Sequence, residues 1–195
     1  MKTLTLIGEK RETIGSKNAA DLRRNGMVPC VIYGGDAPVH FAATEAELKK
    51  FVYTPSVYFA EIQIDGKNYK GVMKDIQFNP ITDKPIHIDF LQVFDNKKVR
   101  VQLPVKVTGN SAGVRAGGKL VVNVKKLNIE ALPGDIPDEI ELDITNLNIG
   151  DKLRISDLKV PGVTFLDASN IAVAAVQMTR SAMSAQAAAE ADKKK

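Results

Sequence analysis

Residues 56–78 read SVYFAEIQIDGKNYKGVMKDIQF, two alternating apolar and polar runs joined by Asp65-Gly66. Strict alternation puts apolar side chains on one face of a strand and polar ones on the other. Asp-Gly is suited to a two-residue turn in which both central residues take positive φ. This stretch therefore commits its part of the chain to an antiparallel hairpin. An isolated hairpin is marginal in water, so further strands must cover its edges.

The flanking sequence supplies them. TLTLIGEKRE alternates at its start and predicts a first strand. Ser16 is expected as the N-cap of a helix over KNAADLRRN, with Gly26 just past its end. VPCVIYGG reads as an apolar strand closed by two glycines, and Thr44 and Glu47 have capping-box spacing for a helix from Glu45 to about Val52. NPITDKP is a loop, since each proline also restricts the residue before it, and IHIDFLQVF is another strand. Residues 1–95 thus predict an antiparallel β-barrel with short helices, closed or nearly so.

DNKK near residue 95 is a polar break, and a different rhythm follows. Short strand-like runs separated by Gly, Pro, Asn or Asp make residues 96–180 a second β-rich domain. GNSAGVRAGG (109–118) is expected as a loop; it lacks the GxxxxGK[ST] arrangement of a phosphate cradle. Residues 181–195 are an Ala- and Lys-rich tail with little to bury. The predicted class is mainly β, a β-rich α+β protein.

Composition narrows the function. At 44% apolar and 26% charged residues, the 195-residue chain reads as an ordinary globular protein. No run approaches the length needed to span a bilayer, no secretory signal opens the sequence, and one cysteine cannot form an internal disulfide, so a cytoplasmic protein without a membrane partner is expected. The net charge is +4, yet residues 1–95 carry 12 basic and 12 acidic side chains. Nucleic-acid binding therefore cannot be argued from bulk charge, only from local clustering.

PIHIDF (85–90) raises the sharpest question, because His87 and Asp89 leave the same face of a strand. Catalysis is disfavoured: there is no GxSxG elbow, Ser16, Ser56 and Ser111 lack a distinguishing context, and same-face Cα atoms some 6–7 Å apart are awkward for a tight imidazole–carboxylate bond. His40 and His87 are the only histidines, too few for a convincing metal site, and Cys30 lies in an apolar strand where a thiol is inert. Solvation or a hydrogen bond to nearby backbone would also account for the pair. A binding surface is the remaining reading. Arg11 follows the first strand, Arg23 and Arg24 end a helix and Tyr33 ends a strand. Guanidinium forks suit phosphates or guanine edges, and tyrosine offers a stacking face with a hydroxyl.

R-E-x-x-G (11–15), LRRNGxVPCVIYGG (22–35) and PIHIDF (85–90) together resemble the bacterial large-subunit ribosomal protein twenty-five family. AGVRAGGKL (112–120), IPDEIELDITNLNIGDKLRISDL (136–158) and NIAVAAV (170–176) resemble the C-terminal domain of its long form, the CTC or general stress protein type. The resemblance covers nearly the whole chain except the tail. It implies a non-enzymatic ribosomal constituent that binds 5S ribosomal RNA through the barrel, beside other large-subunit components. It implies an RNA surface including Arg11, Arg23, Tyr33, His87 and Asp89, with Arg24, Lys74 and Gln77 as weaker members. No small-molecule substrate and no cofactor are expected, Mg²⁺ entering only through bound RNA. The rival expectation is a stress-linked protein–protein adaptor or chaperone-like factor acting through the C-terminal domain.

Overall fold

Asp65 and Gly66 take φ of 47° and 76°, and the hairpin they turn lies within a closed six-stranded barrel in the computed structural model, which describes residues 1–179. The chain builds β1 (Thr3–Lys10), α1 (Ser16–Arg24), β2 (Met27–Tyr33), β3 (Val39–Thr44), α2 (Glu45–Val52), β4 (Phe59–Ile64), β5 (Lys67–Phe78) and β6 (Pro85–Gln92). Around the barrel the order is β1-β3-β2-β6-β5-β4, with β1 closing on β4. The fold class is the expected one. The pairing is mixed, however: β1 runs parallel to β4 and β2 parallel to β6. Alternation identifies a strand but carries nothing about its direction, and neither parallel pair is consecutive in the chain.

Closure packs one face of every strand inward. Leu6, Cys30, Phe41, Ile62, Ile88 and Phe90 are fully buried. The Phe41 and Phe90 rings lie 5.9 Å apart at their centroids, and Phe51 from α2 meets Phe90 edge-on at 6.5 Å. Amphipathic α2 buries Leu48 and Phe51 on this core.

The helix ends differ in detail from expectation. Gly15 occupies the N-cap of α1 in an extended conformation, and Ser16 is already helical, making no capping bond. Ala19 N–H closes the first turn on the Gly15 carbonyl at 3.1 Å. Gly26, φ 75°, follows the helix end as expected. Thr44 is the N-cap of α2, but its hydroxyl donates to the Glu47 carboxylate at 3.2 Å and caps no backbone N–H.

The chain divides into two units: Met1–Val101 with Ala131–Asp138, and Gln102–Glu130 with Glu139 onward. The division falls beyond residue 95 because the polar DNKK stretch is a turn tied into the first unit. Lys97 N–H bonds the Phe94 carbonyl, Lys70 pairs with Asp95 at 3.5 Å, and Val99 and Val101 beyond it are buried.

The second stretch of chain builds β7 (Val99–Thr108), α3 (Ala112–Arg115), β8 (Lys119–Val122), β9 (Lys126–Ala131), β10 (Ile140–Asp143), β11 (Lys152–Arg154), β12 (Val163–Phe165) and β13 (Ala172–Gln177). They form two sheets, β10-β7-β9-β12 and β11-β13-β8. Residues 109–118, expected as a loop, contain the single turn of α3. Ser111 is fully buried there: its oxygen accepts from Gly113 and Val114 N–H, and its hydroxyl donates to the Leu147 carbonyl at 2.6 Å. A Cβ on Gly113 would stand 2.6 Å from the Asn148 backbone, so only glycine fits. The expected tail, 181–195, lies outside the described residues.

Candidate nucleic-acid interface

Because Cys30, Ile32, Ile88 and Phe90 point into the core, strand alternation turns Val31, Tyr33, His87 and Asp89 outward. Register then aligns the outer residues in rows across the strands. Arg11 N–H donates to the His40 carbonyl at 3.0 Å, His40 pairs with Val31, Val31 with Asp89, and Asp89 with Asp75. At about 4.8 Å between neighbouring strands, this row runs about 19 Å from Arg11 to Asp75. Gln77 stands opposite His87 in the adjoining row, and Tyr33 opposite Leu91 on the other side.

His87 Nδ1 and Asp89 Oδ1 are 2.7 Å apart, with about a third of each side chain exposed. A Cα separation of some 6–7 Å is bridged because strand side chains lean along the strand. Two flanking guanidinium groups are held by the protein. Arg11 Nη2 donates to Asn18 Oδ1 of α1 at 3.1 Å, while its Nε is sealed from solvent without a partner. Arg23 Nε donates to the Ile86 carbonyl at 3.0 Å, fastening the end of α1 beside His87 and leaving its outer nitrogens exposed.

Electrostatics tie the group together. Burial pushes the Tyr33 phenol above its ordinary range, and the Asp89 and Asp75 carboxylates add to the effect. Burial also drives the Cys30 thiol far up, with Asp89 reinforcing and Arg11 opposing. Asp75 and Asp89, like charges directly opposite, destabilise each other and favour any hydrogen-bond donor brought to that end.

Other expected members stand apart. Arg24 turns back along α1 to Asp21 at 3.1 Å and is 79% exposed. Lys74 is the extra residue of a bulge between Met73 and Asp75, and its ammonium donates to the Arg100 carbonyl at 3.4 Å. Gln77 is exposed opposite His87.

Chemically, this surface has Arg11 at one end of its row, two carboxylates toward the other, and Arg23, an imidazole and a phenol near them. Such a mixture can serve phosphates, 2′-hydroxyls and base amino groups at once. Among the described residues no three His, Cys, Asp or Glu side chains are grouped to hold a metal ion.

Comparison with known proteins agrees in both halves. Residues 6–90 match the profile described as the Ribosomal L25p family, and residues 98–180 match that of Ribosomal protein TL5, C-terminal domain. The chain is 40% identical over 195 residues to a protein of Amoebophilus asiaticus named large ribosomal subunit protein bL25, covering 100% of both chains. This chain belongs to the bL25 family. Its similarity to the bL25 protein of Porphyromonas gingivalis is 39% over 187 residues, covering 95% of this chain and 97% of that one. The bL25 protein of Bacteroides fragilis is 38% identical over 180 residues, 92% of each chain.

Sequence reasoning missed three neighbours of the surface: Asn18, which holds Arg11, Asp75, which faces Asp89, and His40, which stands between Arg11 and Val31. Their signal lay in strand register and helix placement, which motif reading does not reach.

Proposed function

We propose that the chain is a non-enzymatic constituent of the large ribosomal subunit that acts in the cytoplasm by binding 5S ribosomal RNA. The outer face around His87 and Asp89 is the contact surface. The observation that carries this reading is the part-exposed 2.7 Å His87–Asp89 contact, flanked by Arg23 at Ile86 and in one row with Arg11. Arg11 and Arg23 serve phosphates. Asp89 accepts from a base amino group or a 2′-hydroxyl, which makes a carboxylate tolerable beside a polyanion. His87, in contact with Asp89, fixes the orientation of that acceptor, and Tyr33 presents a ring and a neutral hydroxyl. Mg²⁺ takes part only through the bound RNA.

This division of labour also explains how a barrel with balanced charge can bind RNA: it reads one fold through a small surface and does not rely on bulk attraction. Calorimetric titration with 5S ribosomal RNA, with transfer RNA as competitor at two salt concentrations, tests the reading. Binding to the 5S RNA is expected to survive a large excess of competitor. Equal affinity for both RNAs would contradict it.

A further inference from the structure

His40 is half-buried on the outer face of β3, directly beside Arg11. The register fixes the placement: Lys10 pairs with Phe41, so Arg11 falls opposite His40, and that backbone bond measures 3.0 Å. Phe41 points into the core and His40 therefore points out, toward the side on which Arg11 reaches Asn18. Residues so paired have Cβ atoms about 5 Å apart.

Both side chains retain unused donors. Among the described residues nothing hydrogen-bonds the His40 ring, while Arg11 spends Nη2 on Asn18 and has Nε sealed, leaving Nη1 free of a protein partner. Asp89 and Asp75 lie two and three strands farther along the same row, so the His40 end is its cationic half. Two donors standing opposite each other on one outer face suit an oxygen with several lone pairs.

We propose that His40 is a further RNA-contact residue, and that its ring and Arg11 Nη1 together hold one backbone phosphate of the bound RNA. This rests on the 5S ribosomal RNA reading above and extends the contact surface one strand beyond Val31. The ring acts as a hydrogen-bond donor; Arg11 supplies the charge.

His40→Ala, His40→Gln and His40→Phe in the full chain, each confirmed folded by its thermal transition, are titrated with 5S ribosomal RNA beside Asp89→Ala. His40→Ala is expected to weaken binding about three- to ten-fold, the range for one lost hydrogen bond. His40→Gln, which keeps an N–H donor, recovers part of that loss, and His40→Phe recovers none. Wild-type affinity in His40→Ala while Asp89→Ala binds poorly would overturn the His40 assignment and leave the wider surface intact. Wild-type affinity in His40→Phe would overturn the phosphate contact, since a bare ring would then suffice. If the unmodified chain showed no preference for 5S ribosomal RNA over transfer RNA, the parent reading itself would fall.

Discussion

Arg23 is held by one nitrogen and presents the rest of its fork outward beside His87. A phosphate contact of this kind releases about one counterion. Arg23→Ala should reduce the slope of log affinity against log salt by about 0.9, measured by titration at several salt concentrations. Cys30, by contrast, is a core residue despite lying next to Val31 of the surface row. Its raised pKa keeps the thiol protonated and its burial bars access, so iodoacetamide at pH 8 should leave it unmodified in the native chain and alkylate it in denaturant. Rapid native labelling would show that β2 opens readily. The motif PIHIDF was legible as a same-face pair, but the geometry was not. Cα spacing argued against a tight His87–Asp89 contact, and only the lean of the side chains along the strand brought them to 2.7 Å. Arg23 and Arg24 were likewise indistinguishable as an LRR string until α1 packing sent one to Ile86 and the other to Asp21.

At the scale of elements, β6 has two tasks. Its outward residues His87 and Asp89 form the surface, and its inward residues Ile88 and Phe90 anchor the barrel. Phe90→Ala removes the ring that meets both Phe41 and Phe51 and should destabilise the first unit by about 3–5 kcal/mol in denaturant titration. RNA affinity should fall only in step with the unfolded fraction. In the second unit, Asp143 accepts from both the hydroxyl and the N–H of Thr145, which holds its carboxyl below the usual 3.8. Asp157 is lowered in the same way by the Arg154 N–H and the Ser156 hydroxyl. A carboxyl lowered by folding stabilises the folded state above its ordinary pKa, and that contribution fades as pH falls through the folded value. The second unit should therefore lose melting temperature below about pH 4, and Asp143→Asn combined with Asp157→Asn should flatten that decline; an unchanged acid limb would disprove the link. Strand positions were readable because alternation is local. The parallel pairings, two in the barrel and β7 with β10 beyond it, were not, since they join strands distant in sequence, and the turn of α3 was hidden among glycines until Ser111 found its backbone partners.

For the whole molecule, charge and boundary are the informative properties. The polar DNKK run marks a turn, and the first unit reaches on to Val101 and takes back Ala131–Asp138. Within it, the Met1 ammonium pairs with Asp138 at 3.3 Å, and Val99, Val101 and Ile136 are buried. A chain ending at residue 95 should thus melt tens of degrees below the intact chain and bind RNA only where it stays folded, since each lost apolar side chain contributed about 1.5–3 kcal/mol and each kcal/mol is worth roughly 4–8 °C. Sequence reading could see that two β-rich regions exist, yet a segment returning from residue 131 leaves no mark in local composition. The balance of 12 basic and 12 acidic residues over 1–95 argues that recognition, not attraction, does the binding. Comparing Asp89→Ala with the unmodified chain on 5S ribosomal RNA and on a generic RNA duplex of equal length tests this most directly. The substitution should cost at least ten-fold on the 5S RNA and leave the duplex nearly unaffected, because removing a carboxylate only relieves repulsion there. Equal losses on both RNAs, or a gain on both, would contradict the assignment of Asp89 as a reader of that fold.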